Sequence, residues 1–121
     1  MKVGYVVLYV NDTKACLDFW TNQVGMTLIN KNEVGDNIVA KVGFKDQDFA
    51  FELVPLAMMK DNPNNLDLAT PSICFYAKDV EAEHKRLKDN NVTNTDVNEH
   101  FGRKGFAFSD NEGRWFAVQQ A

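Results

Sequence analysis

One acid stands inside an apolar strand: Glu52, in the run FAFELV at 49–54. A carboxylate is costly to bury unpaired, so this one must face a cavity, meet a cation, or hold its proton more tightly than usual. Facing a cavity, it would accept a hydrogen bond from a ligand or pair with a cationic group on one. The plainer outcome is an internal pair with Arg103 or Lys104, from a loop placed to close the cavity. The two histidines offer less. His84 falls on the inward face of a helical pattern and reads as a core or half-buried side chain. His100 lies in the loop VNEHFGRKG, where it is either solvated or reaches over a pocket mouth. No Ser-His-Asp or Cys-His arrangement has the spacing of a nucleophilic centre. Cys16 and Cys74 match no zinc pattern and read as buried thiols acting as small hydrophobes. Cys74 keeps a second option, lining a pocket from the same strand face as Ser72 and Tyr76.

The elements that must position these residues occur twice. Residues 5–12 read YVVLYVND and residues 72–79 read SICFYAKD, about 67 residues apart. Each is a short apolar strand ending in an Asp that can accept from the free amides of a helix start. Each half closes on a turn and strand of similar design, DQDFAFEL at 46–53 and DNEGRWFAV at 110–118. In the first half a strand at 3–10 leads to a helix running to about residue 24, with Cys16, Phe19, Trp20 and Val24 at helical spacing. Gly25 is placed to cap it. A hairpin at 27–33 and 37–44 and the strand at 49–54 follow. In the second half a strand at 72–77 leads to a helix from 79 to about 88, with Val80, His84 and Leu87 inward. A short strand near 92–97 and strands at 105–109 and 114–119 complete it. The pattern is β-α-β-β-β repeated, an α+β chain of two modules, about 1–55 and 71–121, joined by a linker at 56–70. Leu56, Met58 and Met59 make that linker too apolar for a free tether.

Composition narrows the functional classes. The 121 residues carry a net charge of −4, with 45% hydrophobic and 25% charged residues. That is an ordinary globular balance, and scattered lysines and arginines do not make a nucleic-acid footprint. No apolar run approaches the roughly 20 residues needed to span a bilayer. The start MKVGYVV has strand character and no signal-peptide pattern, so a cytoplasmic protein is expected.

Laid out this way, the chain resembles the vicinal oxygen chelate superfamily, which includes glyoxalase I, extradiol dioxygenases, fosfomycin-resistance proteins and bleomycin-binding proteins. The carriers are YVVLYVNDTKACLDFWTNQVGM at 5–26, FAFELV at 49–54 and FSDNEGRWFAV at 108–118. The last looks like the family's Asp-Pro-x-Gly turn, with Asn111 in place of Pro. The resemblance implies two βαβββ modules whose curved mixed sheets surround a cavity. Metal enzymes of the superfamily place ligands at positions that correspond here to Tyr5, Glu52, Ser72 and Ala117. Glu52 alone keeps a suitable donor, and a divalent ion usually needs three or more. No metal and no cofactor is therefore expected, and the chain is most like the metal-free bleomycin-resistance branch.

Within that frame, strand alternation projects Tyr5, Val7 and Tyr9 toward the cavity, together with Glu52, Ser72, Cys74, Tyr76, Trp115 and Gln119, with Arg103 at its closing loop. An apolar wall with a few placed polar groups describes a small-molecule pocket. Tyr5, Tyr76 and Trp115 can stack on a planar ligand, and Glu52 favours a cationic one. Three readings follow. The first is a binding protein that sequesters an aromatic or cationic compound, as antibiotic-resistance members of the family do. The second is a glyoxalase-like lyase or dioxygenase relative with an atypical site and unassigned catalytic residues. The third is a protein-interaction module with a vestigial cavity. The family implies a homodimer, and no nucleic-acid or membrane partner is expected.

Overall fold

Two aspartates open the two helices. Asp12 accepts from the Ala15 amide at 3.0 Å to start α1 (Thr13–Asp18), and Asp79 accepts from the Ala82 amide at 3.1 Å to start α2 (Val80–Asp89). Each satisfies one of the amides that a helix start leaves without a partner. The computed structural model describes residues 1–121, which fall into two compact units, Met1–Thr70 and Pro71–Ala121.

In the first unit the strands are β1 (Val6–Val10), β2 (Thr27–Val34), β3 (Asn37–Gly43) and β4 (Ala50–Pro55). They form a four-stranded sheet in the order β1-β4-β3-β2, parallel between β1 and β4 and antiparallel elsewhere. Alternation gives the sheet two unlike faces. Leu8, Val10, Ala40, Val42, Phe51 and Leu53 are buried, and α1 packs against β3 and β4. Beyond Asp18 the helix widens into π-type turns over Phe19–Val24, where an unbroken α-helix was expected. Those turns carry Trp20 onto Phe51, ring centroids 5.0 Å apart. Gly25 ends them at φ 99°, a left-handed conformation that only glycine adopts without strain.

The second unit contains β5 (Cys74–Ala77), β6 (Asn98–His100), β7 (Arg103–Ser109) and β8 (Trp115–Gln120), ordered β5-β8-β7-β6 with β5 parallel to β8. Its core is Val80, Leu87, Val92, Phe106, Phe108, Phe116 and Val118, with Phe108 and Phe116 at 5.6 Å. Gln120 locks the helix start to the sheet: its Oε1 accepts from the Val80 amide at 3.0 Å and its Nε2 donates to the Lys78 carbonyl.

Several boundaries differ from expectation. β1 and β5 begin three and two residues later, so Tyr5 and Ser72 lie just outside the ladders. The short strand expected at 92–97 lies at 98–100. There the Thr95 amide donates to the Ala107 carbonyl, but the Ala107 amide donates to the Thr95 hydroxyl at 2.9 Å. A side chain replaces a backbone carbonyl, and the regular ladder starts only beyond it. The segment after β4 is ordered by a short 3-10 turn at Leu56–Met59. The Asn62 side chain then donates to the Leu66 carbonyl and accepts from its amide.

Candidate functional site

The less covered face of the first sheet carries a cation in contact with both an acid and an aromatic ring. Val7 pairs with Glu52 across the β1/β4 ladder, and Lys41 pairs with Glu52 across β3/β4, so the three stand in one row. The Lys41 ammonium lies 3.8 Å from the Glu52 carboxylate and 4.1 Å above the centre of the Tyr5 ring. One cation thus serves an acid and an aromatic face together. Glu52 is half-buried rather than enclosed, and its partner is Lys41, in place of the expected Arg103 or Lys104. Lys104 points to the other side of its strand, 3.7 Å from Glu81 on α2. Tyr9 stands beside Val54 on the same face as Val7.

The corresponding row of the second sheet is Cys74, Ala117 and Ala107, paired in the same sense across β5/β8 and β7/β8. Three small side chains stand where the first sheet has valine, glutamate and lysine. The next row is Tyr76, Gln119 and Gly105. Gly105 is required there, because a Cβ would sit 2.6 Å from the Val118 carbonyl oxygen. The result is a pocket of about 300 Å³ floored by Gly105, Ala107 and Ala117, with Gln119 beside them. Its rim is Thr95, Asn98, His100 and Arg103, and the backbone of Phe106 and Val118 completes the floor. That volume is at the lower end of the roughly 300–1,000 Å³ usual for small-molecule sites.

The rim is held by specific contacts. His100 and Arg103 are register partners beside the hairpin tip, where Phe101 and Gly102 both take positive φ. His100 is therefore part of a strand at the pocket mouth, one of the two placements its sequence allowed. Arg103 donates to the Tyr76 hydroxyl at 3.5 Å and lies 6.0 Å from the centre of that ring. His84, half-buried as expected, packs edge-on to Phe106 and contacts the Thr95 carbonyl through Nε2 at 3.0 Å. It ties α2 to the rim.

Of the sequence-projected residues, the structure gathers Tyr5, Val7, Tyr9 and Glu52 on the first sheet, and Cys74, Tyr76, Arg103 and Gln119 on the second. Ser72 is exposed ahead of β5. Trp115 is exposed at the far end of β8, four residues or about 13 Å from Gln119, and neither it nor Cys74 or Tyr76 lines the pocket, which takes only Arg103 and Gln119 of the projected residues. Cys16 is buried, but Cys74 is exposed, against the expectation of a buried thiol, and its cross-strand row carries only Ala117 and Ala107. Sequence reasoning missed Lys41, Thr95, Asn98, Gly105 and Ala107. Lys41 left a readable signal, a lone cation in the apolar run NIVAKVG. The others depend on cross-strand register.

At the positions that the resemblance assigns to metal ligands, Glu52 is the one carboxylate and no imidazole is present. Glu52 and Tyr5 both face the Lys41 ammonium, while Ser72 supplies a hydroxyl and Ala117 a methyl group. No group of three or more His, Cys, Asp or Glu side chains converges elsewhere.

A buried ion cluster fixes the turn that leads into β8. Asp110 accepts from the backbone amides of Glu112 and Arg114, and the Arg114 guanidinium meets Asp110 at 3.0 Å and Glu112 at 2.8 Å. Burial pushes the Arg114 pKa down, but its hydrogen bonds and the two nearby negative charges outweigh that and raise it above the ordinary arginine value.

This fold and these strand rows define a member of the Glyoxalase/Bleomycin resistance protein/Dioxygenase superfamily: the chain belongs to that family, whose sequence model matches residues 2–118. Among individual proteins, it is 27% identical over 92 residues to the uncharacterized protein YetH of Bacillus subtilis (strain 168), across 75% of this chain and 73% of that one. Its fold is similar to that of TnmS3, an antibiotic binding protein from Streptomyces sp. CB03234, with a TM-score of 0.81 and 21% identity over 99% of this chain and 95% of that chain. A superfamily member from Sphaerobacter thermophilus DSM 20745 is also similar, with a TM-score of 0.83 and 20% identity over 100% and 98% of the two chains. At these identities the likeness to the solved structures establishes the fold. No helix is long and apolar enough to cross a membrane.

Proposed function

We propose that this protein binds a small planar molecule against the second sheet and releases it unchanged. The observation that carries the reading is the floor of Gly105, Ala107 and Ala117, which leaves space where the first sheet carries Lys41 and Glu52. Apolar floor and polar rim suit a flat compound lying on the sheet. His100 and Arg103 are the titratable side chains at the pocket, with no carboxylate or hydroxyl nucleophile paired to a base. TnmS3, of the same fold, is an antibiotic binding protein. Sequestration of an aromatic antibiotic is the form of the function that this likeness supports.

The expected preference for cations changes. It rested on Glu52, and Lys41 already neutralises that acid. The test is a thermal-shift screen of planar aromatic compounds, repeated on Ala107→Phe, which fills the floor. Ligands of the native state raise the melting temperature of the wild type by mass action and leave the filled variant unmoved. Equal stabilisation of both proteins would refute the pocket. The reading includes a homodimer, for which β2 offers a free sheet edge with exposed Leu28, Ile29 and Val34. Light scattering at micromolar concentration checks it, and a monomer mass counts against it.

A further inference from the structure

We propose that the pocket on the second sheet selects planar ligands that carry a carboxylate or a phenolate, with Arg103 as the cation that receives them. The inference rests on the binding reading above and adds the charge class of the ligand.

The chain has three arginines. Arg86 is paired with Glu83, and Arg114 with Asp110 and Glu112. Arg103 alone has no carboxylate within ion-pair distance; its one polar partner is the Tyr76 hydroxyl. A guanidinium carries five N–H donors in a fixed fork that matches a carboxylate in two parallel hydrogen bonds. A single long contact to Tyr76 leaves most of that fork unused while fixing its direction over the ring.

The surroundings have the same character. No Asp or Glu lines the pocket, although the protein as a whole has a net charge of −4. Strand alternation turns Glu99 to the opposite side of the hairpin, in register with Lys104, while His100 and Asn98 share the face of Arg103 and Gly105. Asn98, His100 and Gln119 make no side-chain hydrogen bond within the protein, and each can donate one toward the pocket. Donors therefore gather around a flat floor of Gly105, Ala107 and Ala117. A cationic ligand would meet Arg103 with nothing to offset the repulsion, and a neutral one would leave the fork unmatched.

A charge-matched series decides the matter: 2-naphthoate, 2-naphthamide and 2-naphthylmethylammonium, titrated against the full chain while backbone amide shifts are followed. The expected result is shifts at Gly105, Ala107, Ala117 and Gln119, with naphthoate binding about tenfold tighter than the amide. Arg103→Gln should bring the two within about twofold, and Arg103→Glu should reverse the order in favour of the ammonium compound. Arg103 is exposed, and the amide spectrum of each variant checks that it stays folded. If the amide or ammonium compound shifts the same amides and binds as well as the anion, or the anion preference survives Arg103→Gln, the charge assignment is wrong and the pocket stands. If none of the three shifts those amides, the pocket reading fails, and the charge assignment falls with it.

Discussion

The two sheets have one topology and opposite surfaces. At register-equivalent positions the first carries Val7, Glu52 and Lys41, and the second carries Cys74, Ala117 and Ala107. In the first, the cation lies against the acid and the Tyr5 ring, and the face is satisfied from within. In the second, Gly105, Ala107 and Ala117 floor a pocket, and Arg103 at its rim has no acid to meet. The turns invert the contrast. The turn into β8 is tied by Arg114 to two acids, whereas the turn into β4 has a weak backbone bond of 3.4 Å between Gln47 and Phe44 and no ion pair among Lys45, Asp46 and Asp48. Two units with the same strand order thus carry different residues on one face of the sheet. The half with the open surface has the firmer turn at its edge.

The largest expected effect breaks the contrast of the turns. Arg114→Met removes the cation from a buried acid, Asp110, and a partly buried one, Glu112, and should cost about 3–5 kcal/mol in urea unfolding. Lys45→Met in the other turn should stay within about 0.5 kcal/mol. Comparable losses would mean that the two turns are equally fixed.

Glycine marks a point on which the two sheets agree. A Cβ at Gly43 would approach the Phe49 carbonyl oxygen to 2.6 Å, as one at Gly105 approaches that of Val118. Each Gly→Ala change should destabilise by about 1–3 kcal/mol, since backbone must move to make room. Tolerance at Gly105 alone would show that the pocket floor is looser than the first sheet.

A transplant sharpens the main comparison. Ala107→Lys with Ala117→Glu installs the first sheet's cross-strand pair in the second. The pair should occupy the pocket and weaken aromatic ligands by tenfold or more, about 1.4 kcal/mol. Calorimetric titration measures this, and unchanged affinity would place the ligand elsewhere. The smallest effect concerns the original pair. Glu52→Gln should cost no more than about 1 kcal/mol, because the ion pair is partly exposed and screened. Thermal unfolding reads it, and a loss of several kcal/mol would mean that the first face is more enclosed than its row implies.

Much of the fold was legible because its signals are local. The strand-Asp-helix repeat, the Asp12 and Asp79 caps and the left-handed Gly25 all follow from short stretches of chain. The site was legible only in part. Alternation identified the faces of Val7, Glu52, Cys74, Tyr76 and Gln119, because period two needs no knowledge of neighbours. Which residue stands opposite another depends on register. Sequence therefore offered Arg103 or Lys104 as the internal partner of Glu52 where Lys41 stands, and overlooked Gly105 and Ala107 beside Ala117 as a floor. Trp115 had the right face and the wrong end of the strand. The Thr95 hydroxyl that displaces β6 is a single side-chain choice, with no periodic trace to read.

Under the proposed function the second sheet, and not the first, holds the ligand. Backbone amide shifts recorded during titration with a panel of planar aromatic fragments test it most directly. Every fragment that binds should move Gly105, Ala107, Ala117 and Gln119 and leave Val7, Lys41 and Glu52 in place. Shifts centred on Val7, Lys41 and Glu52, or no shift on either sheet from any fragment, would contradict it.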